Sequence, residues 1–450
     1  MDKMTVYGRL PVFAQNWACS LEGMRIERSR YDKVFWDKLR EYESLAQKSF
    51  DERCAYRDAQ LSKMAIHCYR TVPHWRRVFD DAGLNPASVR TLDDLQKIPV
   101  LTKEEVKANP EGFLSSDFME KKLISQHTSG TTGGGFVFYT TSEALSAQWA
   151  IWWRYRRSLG ISYGDDCAVF GGRTVVPIAC RRAPYYRVNR PSRQFLFSQY
   201  HLGGSTADEY IAELRKLRVK WLHGYPSALA LLAHFLLDRG ESLEVDHVTL
   251  GAENLLESQE SALKEAFHVS PRQHYGLSEA VANFSQDTGG DMYVDEEFAA
   301  VEFVENEYGA TEVVGTTLTN YAMPLLRYQT HDTAEVEQTT FGRKVVALDG
   351  RLEDYVVLSD GSRVGRLDHL FKDLVNVVEA QIVQDRPGAF VVTLVPNRDY
   401  SESDTLLLDK EIRDRMGDVE YAVEFVKAIP RTASGKLRLV VSRMDEGTLR

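Results

Sequence analysis

A chain of 450 residues with 43% hydrophobic content exceeds what one core usually organises, so one large and one small unit are expected. Its 65 acidic residues against 55 basic ones give a formal net charge of −10, which argues against nucleic acid or another polyanion as partner. Five cysteines, Cys19, Cys54, Cys68, Cys167 and Cys180, form no CxxC pair and no metal-ligand spacing, as suits reduced structural thiols. The start, Met1-Asp2-Lys3-Met4, lacks an apolar h-region, and no stretch reaches the ~18 apolar residues that a membrane span needs. A cytoplasmic protein is expected, with peripheral docking onto a membrane assembly compatible with the composition.

In chain order, residues 1–110 read as a helical lead-in punctuated by Pro73, Pro86, Pro99 and Pro110, with Thr102-Lys103-Glu104-Glu105 as a capping box. Leu123-Ile124-Ser125 and Phe136-Val137-Phe138-Tyr139-Thr140 read as strands flanking a hairpin-like connection. A helix is predicted to start near Ser142, with Leu145, Trp149 and Trp152 on its packing face. Ala168-Val169-Phe170, Trp221-Leu222-His223 and His247-Val248-Thr249-Leu250 then read as buried strands joined by helical segments, one of which starts at Pro226 and runs toward Gly240. That alternation implies layered α/β sheets. Residues 295–350 switch to short strands with turn signals, a β subdomain. Beyond Gly350, strands at Ala380–Val383 and Phe390–Val395 and a helix over Leu406–Arg415 make a compact terminal α+β domain. The expected boundaries are 1–352 for the large domain and 353–450 for the small one.

Three segments carry chemistry. The connection after His127, Thr128-Ser129-Gly130-Thr131-Thr132-Gly133-Gly134-Gly135, packs Gly and hydroxyl residues into a backbone suited to wrapping phosphate, although a ligand-free Gly-rich hairpin would look the same. It is not a Walker loop, because Phe136 follows where GK[ST] and a helix would be required. His274-Tyr275-Gly276-Leu277-Ser278-Glu279 places an aromatic ring, a glycine, a hydroxyl and a carboxylate at a strand end. There they could stack on a purine, allow close approach, donate to a phosphate and hold Mg2+. Near the C-terminus, Pro430-Arg431-Thr432-Ala433-Ser434-Gly435-Lys436 sets a lysine among small residues, a compact cation able to meet charge that builds during acyl transfer to phosphorus.

Taken in order, these segments resemble the motifs of the adenylate-forming superfamily of acyl-CoA synthetases, peptide-synthetase adenylation domains and luciferase. Thr128–Gly133 is similar to its phosphate loop and Tyr275–Glu279 to its YGxTE segment. Arg327-Tyr328-Gln329-Thr330-His331-Asp332 is similar to RYRTGD, Gly350-Arg351-Leu352-Glu353-Asp354 to the GRxDD hinge, and the Lys436 loop to PRTxxGK. Asp94–Lys103 resembles the lead-in of the phenylacetate-CoA ligase branch. Gly365–Asp373 with Asn376–Ala380, and His223-Gly224-Tyr225-Pro226-Ser227, resemble CapK-like capsular polysaccharide biosynthesis proteins. The chain departs from the pattern at Gly134-Gly135, where Lys-Pro is usual, and at His331, where Gly precedes the aspartate.

The resemblance implies a carboxylate attacking the α-phosphorus of Mg-ATP, pyrophosphate leaving, and an acceptor taking the acyl group. Lys436 would be catalytic, Asp332 would bind the ribose, Glu279 would hold Mg2+, and Arg351 and Gly251-Ala252-Glu253 would contact the nucleotide. Gly172, Arg173, His223 and Tyr225 would line the acid pocket, and Glu353 would be the hinge of a mobile lid. CoA is favoured as acceptor on family frequency, with an amine or sugar hydroxyl as the alternative. A non-catalytic nucleotide-binding scaffold has no need for Lys436, Asp332 and Glu279 together.

Overall fold

The computed structural model describes residues 3–119, 122–127, 137–306, 310–351, 356–359, 363–364, 367–371, 374, 376–417, 419–431 and 437–444. The chain divides into two compact units that interleave in sequence: Met24–Tyr163 with Gln273–Leu348, and Met1–Gly23 with Gly164–Arg272 and Asp349–Arg450.

In the first unit the helical lead-in is confirmed, with helices Lys33–Ala46, Phe50–Thr71 and Pro73–Asp81. Their ends are written in the sequence: Ser49 with Glu52, Thr91 with Asp94, and the expected Thr102 with Glu105 each form a reciprocal capping box. These helices bury Met64, Cys68, Trp75 and Phe79 against Phe113, Val281, Leu325 and Tyr328, which fastens the lead-in to the β region. The predicted β subdomain is an antiparallel array in the order Ala299–Glu305, Thr311–Thr317, Tyr328–Gln338, Arg343–Arg351, Met292–Val294, Asn283–Gln286, Arg272–Gly276. Strands Ile124–His127 and Val137–Thr140, either side of the Gly-rich segment, pair antiparallel. Residues 128–136 of that segment lie outside the described ones.

The helix after Thr141 runs Ser142–Ser158, but its predicted packing face is a correction. Trp149 and Trp152 are half-buried, whereas the buried positions include Ala144, Ala147, Ala150, Ile151, Trp153 and Tyr155. Small residues mark where this helix sits deepest. Trp149 and Trp152 stay at its margin, where Trp152 can reach a hydrogen-bond partner and Arg30 lies over the Trp149 ring at 4.3 Å.

In the second unit, strands Cys167–Gly171, Trp221–Gly224 and His247–Leu250 run parallel, in register Phe170 beside Gly224 beside Leu250. Helices Ala207–Leu217, Pro226–Leu237 and Glu257–Phe267 supply the crossovers, burying Leu214, Leu229, Leu232 and Leu263. A hairpin not foreseen from the sequence, Tyr186–Asn189 with Gln194–Ser198, extends the sheet beyond Cys167–Gly171. The arginine-rich sequence of this stretch lacks the clean alternation that would have disclosed it. The terminal part is a second sheet in the order Glu420–Phe425, Ala389–Pro396, Val377–Arg386, Val440–Ser442. Helix Glu402–Met416 covers it through Leu408, Ile412 and Met416, the α+β arrangement expected.

Candidate active site

Because three strands of the second unit are parallel and in register, their carboxyl ends finish on one edge, where α/β sheets receive ligands. Gly172 and Arg173 follow the first, Tyr225 the second, and Gly251-Ala252-Glu253 the third, so the residues proposed for the acid pocket and nucleotide edge converge there. The Gly172 carbonyl accepts a hydrogen bond from the Tyr200 hydroxyl at 3.0 Å, and Arg173 is exposed. His223 lies within the second strand, its Nδ1 fixed 2.9 Å from Thr249 Oγ1. Burial pushes the Tyr225 phenol up from its ordinary pKa, so it stays a neutral donor.

Glu253 is committed to the backbone. Its Oε2 accepts the Ser227 N–H at 3.1 Å, at the start of helix Pro226–Leu237, and its Oε1 accepts the Leu437 N–H at 2.8 Å. Glu379 plays a matching part six residues earlier, accepting the Ile429 N–H at 3.2 Å and pairing with Arg431. Burial raises both carboxyl pKa values, opposed by these N–H donors and by Arg431. The two acids therefore hold the chain on either side of residues 432–436. Lys436 itself, Glu353 and the phosphate-loop residues Thr128, Ser129, Gly130, Thr131, Thr132 and Gly133 lie outside the described residues, as does the Arg351 side chain.

In the first unit the strand Arg272–Gly276 carries a separate group of the predicted site residues. The Tyr275 hydroxyl donates to Asp332 Oδ2 at 2.6 Å, and its ring stacks on Phe284 at 4.7 Å between centroids. Burial, then the Asp332 charge, pushes the phenol well above its ordinary range, so Tyr275 remains a donor. Asp332 is 9% exposed, and its N–H bonds to Thr330 Oγ1 at 3.1 Å. The His331 backbone before it has φ +63, the left-handed conformation that explains why glycine is the common residue there. Glu312 accepts the His331 backbone N–H at 3.1 Å.

Gly276 has an internal reason to be glycine in addition to any ligand's approach. A Cβ there would sit 2.7 Å from Asn283 Oδ1 and 3.1 Å from Trp152 Nε1, which are themselves bonded at 2.9 Å. Asn283 in turn donates to Asp295 Oδ2 at 2.5 Å, beside Ser285 at 2.7 Å. Asp295, Glu296 and Glu297 are all buried, matched by Arg154, Arg57 and Arg343: Arg57 reaches Glu296 at 2.6 Å, and Arg343 grips the same carboxylate at 2.6 and 2.8 Å. Sequence reasoning missed this network. Its signal was an acidic triplet, Asp295-Glu296-Glu297, running straight into Phe298-Ala299-Ala300-Val301, since charges entering an apolar strand must find partners inside. Ser278 and half-buried Glu279 follow the strand. Among the described residues no group of three or more His, Cys, Asp or Glu side chains forms a metal cage. Mg2+ is commonly held by one or two carboxylates together with substrate phosphates, and Glu279 fits that pattern.

Comparison with known proteins follows the same geography. Residues 356–443 match the CapK C-terminal domain family. Protein CapK of Staphylococcus aureus is 23% identical over 98% of this chain and 99% of its own. The phenylacetate-coenzyme A ligase of Thermus thermophilus is 26% identical over 68% of this chain and 71% of its own. The crystal structure of 2-hydroxyisobutyryl-CoA ligase in the postadenylation state, in complex with R3-HIB-AMP, superposes with a TM-score of 0.67 at 16% identity, covering 89% of this chain and 91% of that one.

The chain is similar to CapK along nearly its whole length, and its fold is that of the 2-hydroxyisobutyryl-CoA ligase structure.

Arg327, whose role was not foreseen, sits at φ +47. Its Nε pairs with buried Glu302 at 2.9 Å and its Nη1 bonds the Ile98 carbonyl at 2.5 Å, while Leu101 pairs with Tyr328 as a parallel bridge. The Asp94–Lys103 lead-in and the Arg327–Asp332 segment, both quoted for the resemblance, are thus one hydrogen-bonded structure.

Proposed function

We propose that this chain, an AMP-forming ligase, activates a carboxylic acid as its acyl adenylate and passes the acyl group to an acceptor. The observation that carries the reading is the Tyr275–Asp332 pair at the carboxyl end of its strand, followed by Glu279. Asp332 accepts the ribose hydroxyls, its orientation held by the Tyr275 hydroxyl, and Ser278 donates to phosphate. The adenine meets the exposed backbone at Gly251-Ala252, where Ala252 has φ +70, and not the Glu253 carboxylate, which is already engaged. Gly172, Arg173, His223 and Tyr225 receive the acid, and Thr128–Gly133 wrap the β- and γ-phosphates with backbone and hydroxyl donors. Glu279 would hold Mg2+, which when bound neutralises phosphate charge.

The acid's carboxylate oxygen forms the bond to the α-phosphorus as the bond to pyrophosphate breaks. Lys436 supplies the positive charge this meeting of anions needs, and no general base is required. Residues 353–450 form a lid that turns about Glu353 between the half-reactions.

The acceptor divides two readings. CoA follows from the phenylacetate-CoA ligase similarity, which spans about two thirds of the chain. An amine or sugar hydroxyl is the alternative, suggested by the capsule-related name of the CapK relatives that the chain is similar to.

The test is pyrophosphate release from Mg-ATP across aryl, fatty, amino and uronic acids, with and without CoA, in wild type and Lys436→Ala. Acid-dependent release that the substitution lowers by orders of magnitude supports the reading, and CoA stimulation identifies the acceptor. ADP as product, or release indifferent to Lys436, would sink it.

A further inference from the structure

The helix Val12–Arg30 is inverted relative to an ordinary surface helix. Its first half turns polar and small residues inward: Gln15 Oε1 accepts from Arg187 at 2.5 Å, Asn16 Oδ1 accepts the Val188 N–H at 3.0 Å, and Ser20 donates to the Val188 carbonyl at 3.1 Å. Gly23 lies so close to Asn189 that a Cβ would overlap its side chain. This polar face thus covers the backbone of Tyr186–Asn189, the edge strand of its sheet. The opposite face presents Phe13, Trp17 and Leu21, one turn apart and 68%, 68% and 60% exposed.

The segment under the helix has the contrary character. Residues 173–193 contain six arginines and no acidic residue, in a chain of net charge −10. The preceding helix, Lys3–Arg9, rests on it through the Tyr7 hydroxyl, which donates to the Val175 carbonyl at 2.6 Å. Arg181, Arg182 and Arg190 are exposed, and Ile178 is 60% exposed. Arg190 is tied to the helix, its N–H donating to Ser20 Oγ at 3.3 Å.

We infer that this face is a docking surface for an anionic lipid bilayer, with Phe13, Trp17 and Leu21 entering the headgroup boundary and the exposed Arg181, Arg182 and Arg190 meeting the lipid phosphates. Three observations choose the bilayer. An exposed apolar stripe suits a fluid surface, tryptophan favours the interface between hydrocarbon and water, and the local charge opposes that of the whole chain. A second copy of the chain is a poorer occupant, because face-to-face pairing would bring two arginine segments together without counter-charge. Among the described residues no helix is long and apolar enough to cross a membrane, so attachment here would be to one leaflet.

The test is flotation of the full chain with vesicles of phosphatidylcholine alone or with phosphatidylglycerol added. Binding is expected only to the anionic vesicles and is expected to vanish in ~1 M salt, where the Debye length is about 3 Å. Replacing Phe13, Trp17 and Leu21 together by serine should abolish it, while Arg181→Gln and Arg182→Gln should each weaken it about fivefold. An unchanged melting temperature in the variants shows that the fold is kept. Wild-type protein that stays unbound, or a serine variant that floats as well as wild type, overturns the inference. So does a wild-type dimer, seen by sedimentation, that the serine variant dissociates while neither protein binds vesicles.

Discussion

Tyr275 and Asp332, 57 residues apart in sequence, share one short hydrogen bond of 2.6 Å, and that bond fixes where an acidic oxygen stands at the end of a strand. Tyr275→Phe keeps the ring on Phe284 and removes only the donor. The expected cost in stability is about 1 kcal/mol, with KM for ATP raised several-fold and kcat at saturating ATP nearly kept. Asp332→Asn should impair ATP use further. Pyrophosphate-release kinetics with urea titration check both, and a Tyr275→Phe enzyme that loses kcat alone would contradict the ribose role.

Gly276→Ala forces a methyl group against Asn283 and Trp152, which cannot retreat because Asn283 is held by Asp295. Overpacking of this kind costs about 1–3 kcal/mol. A lowered urea midpoint with unchanged slope is expected, and Gly276→Ala combined with Asn283→Ala should recover part of the loss.

His274 packs against Trp152 and Tyr155, and its Nδ1 has no hydrogen-bond partner among the described residues. Burial, aided by Arg156, lowers its pKa to about 3 from the ordinary 6.5. The unfolded chain therefore binds a proton that the folded one refuses between those values, so stability is full above about pH 6.5 and is lost as pH falls toward 3. The full shift corresponds to about 4–5 kcal/mol as an upper figure. His274→Phe should flatten the dependence of unfolding free energy on pH between neutral and mildly acid conditions; an unaltered slope would refute the assignment.

Arg327 serves a carboxylate and two carbonyls from one planar group. Lysine cannot reproduce that fork, and Arg327→Ala leaves buried Glu302 unpaired at a cost of about 3–5 kcal/mol. Thermal melting should fall clearly for Arg327→Lys and further for Arg327→Ala, with part of the alanine loss restored by adding Glu302→Gln.

Where local pattern and packing agree, the sequence is legible. The capping box at Thr102, the parallel strands at Ala168, Trp221 and His247, and the terminal α+β sheet all follow from side-chain period and end signals. Motif order likewise pointed to the fold. What stayed hidden depends on distant partners. Nothing local to Glu253 says that it binds the chain at Ser227 and Leu437, and nothing near Gly276 names Asn283. The face of Ser142–Ser158 was misread because large aromatic residues were given the deepest positions, which alanines occupy. The helix Val12–Arg30 resists period analysis for a related reason: its inward face is the polar one.

The acids Glu379 and Glu253 act as two mooring posts, one holding Ile429 and Arg431 and the other Leu437. Between them runs a span of five residues that ends in Lys436. A chain moored at both ends can change its letters more freely than its length: an inserted residue must be absorbed within the span, displacing the lysine, and a deleted one must pull a mooring loose. Over evolution this stretch should accept substitution at Thr432 or Ala433 while refusing insertions and deletions, a spacing constraint imposed by carboxylates on other segments of the chain.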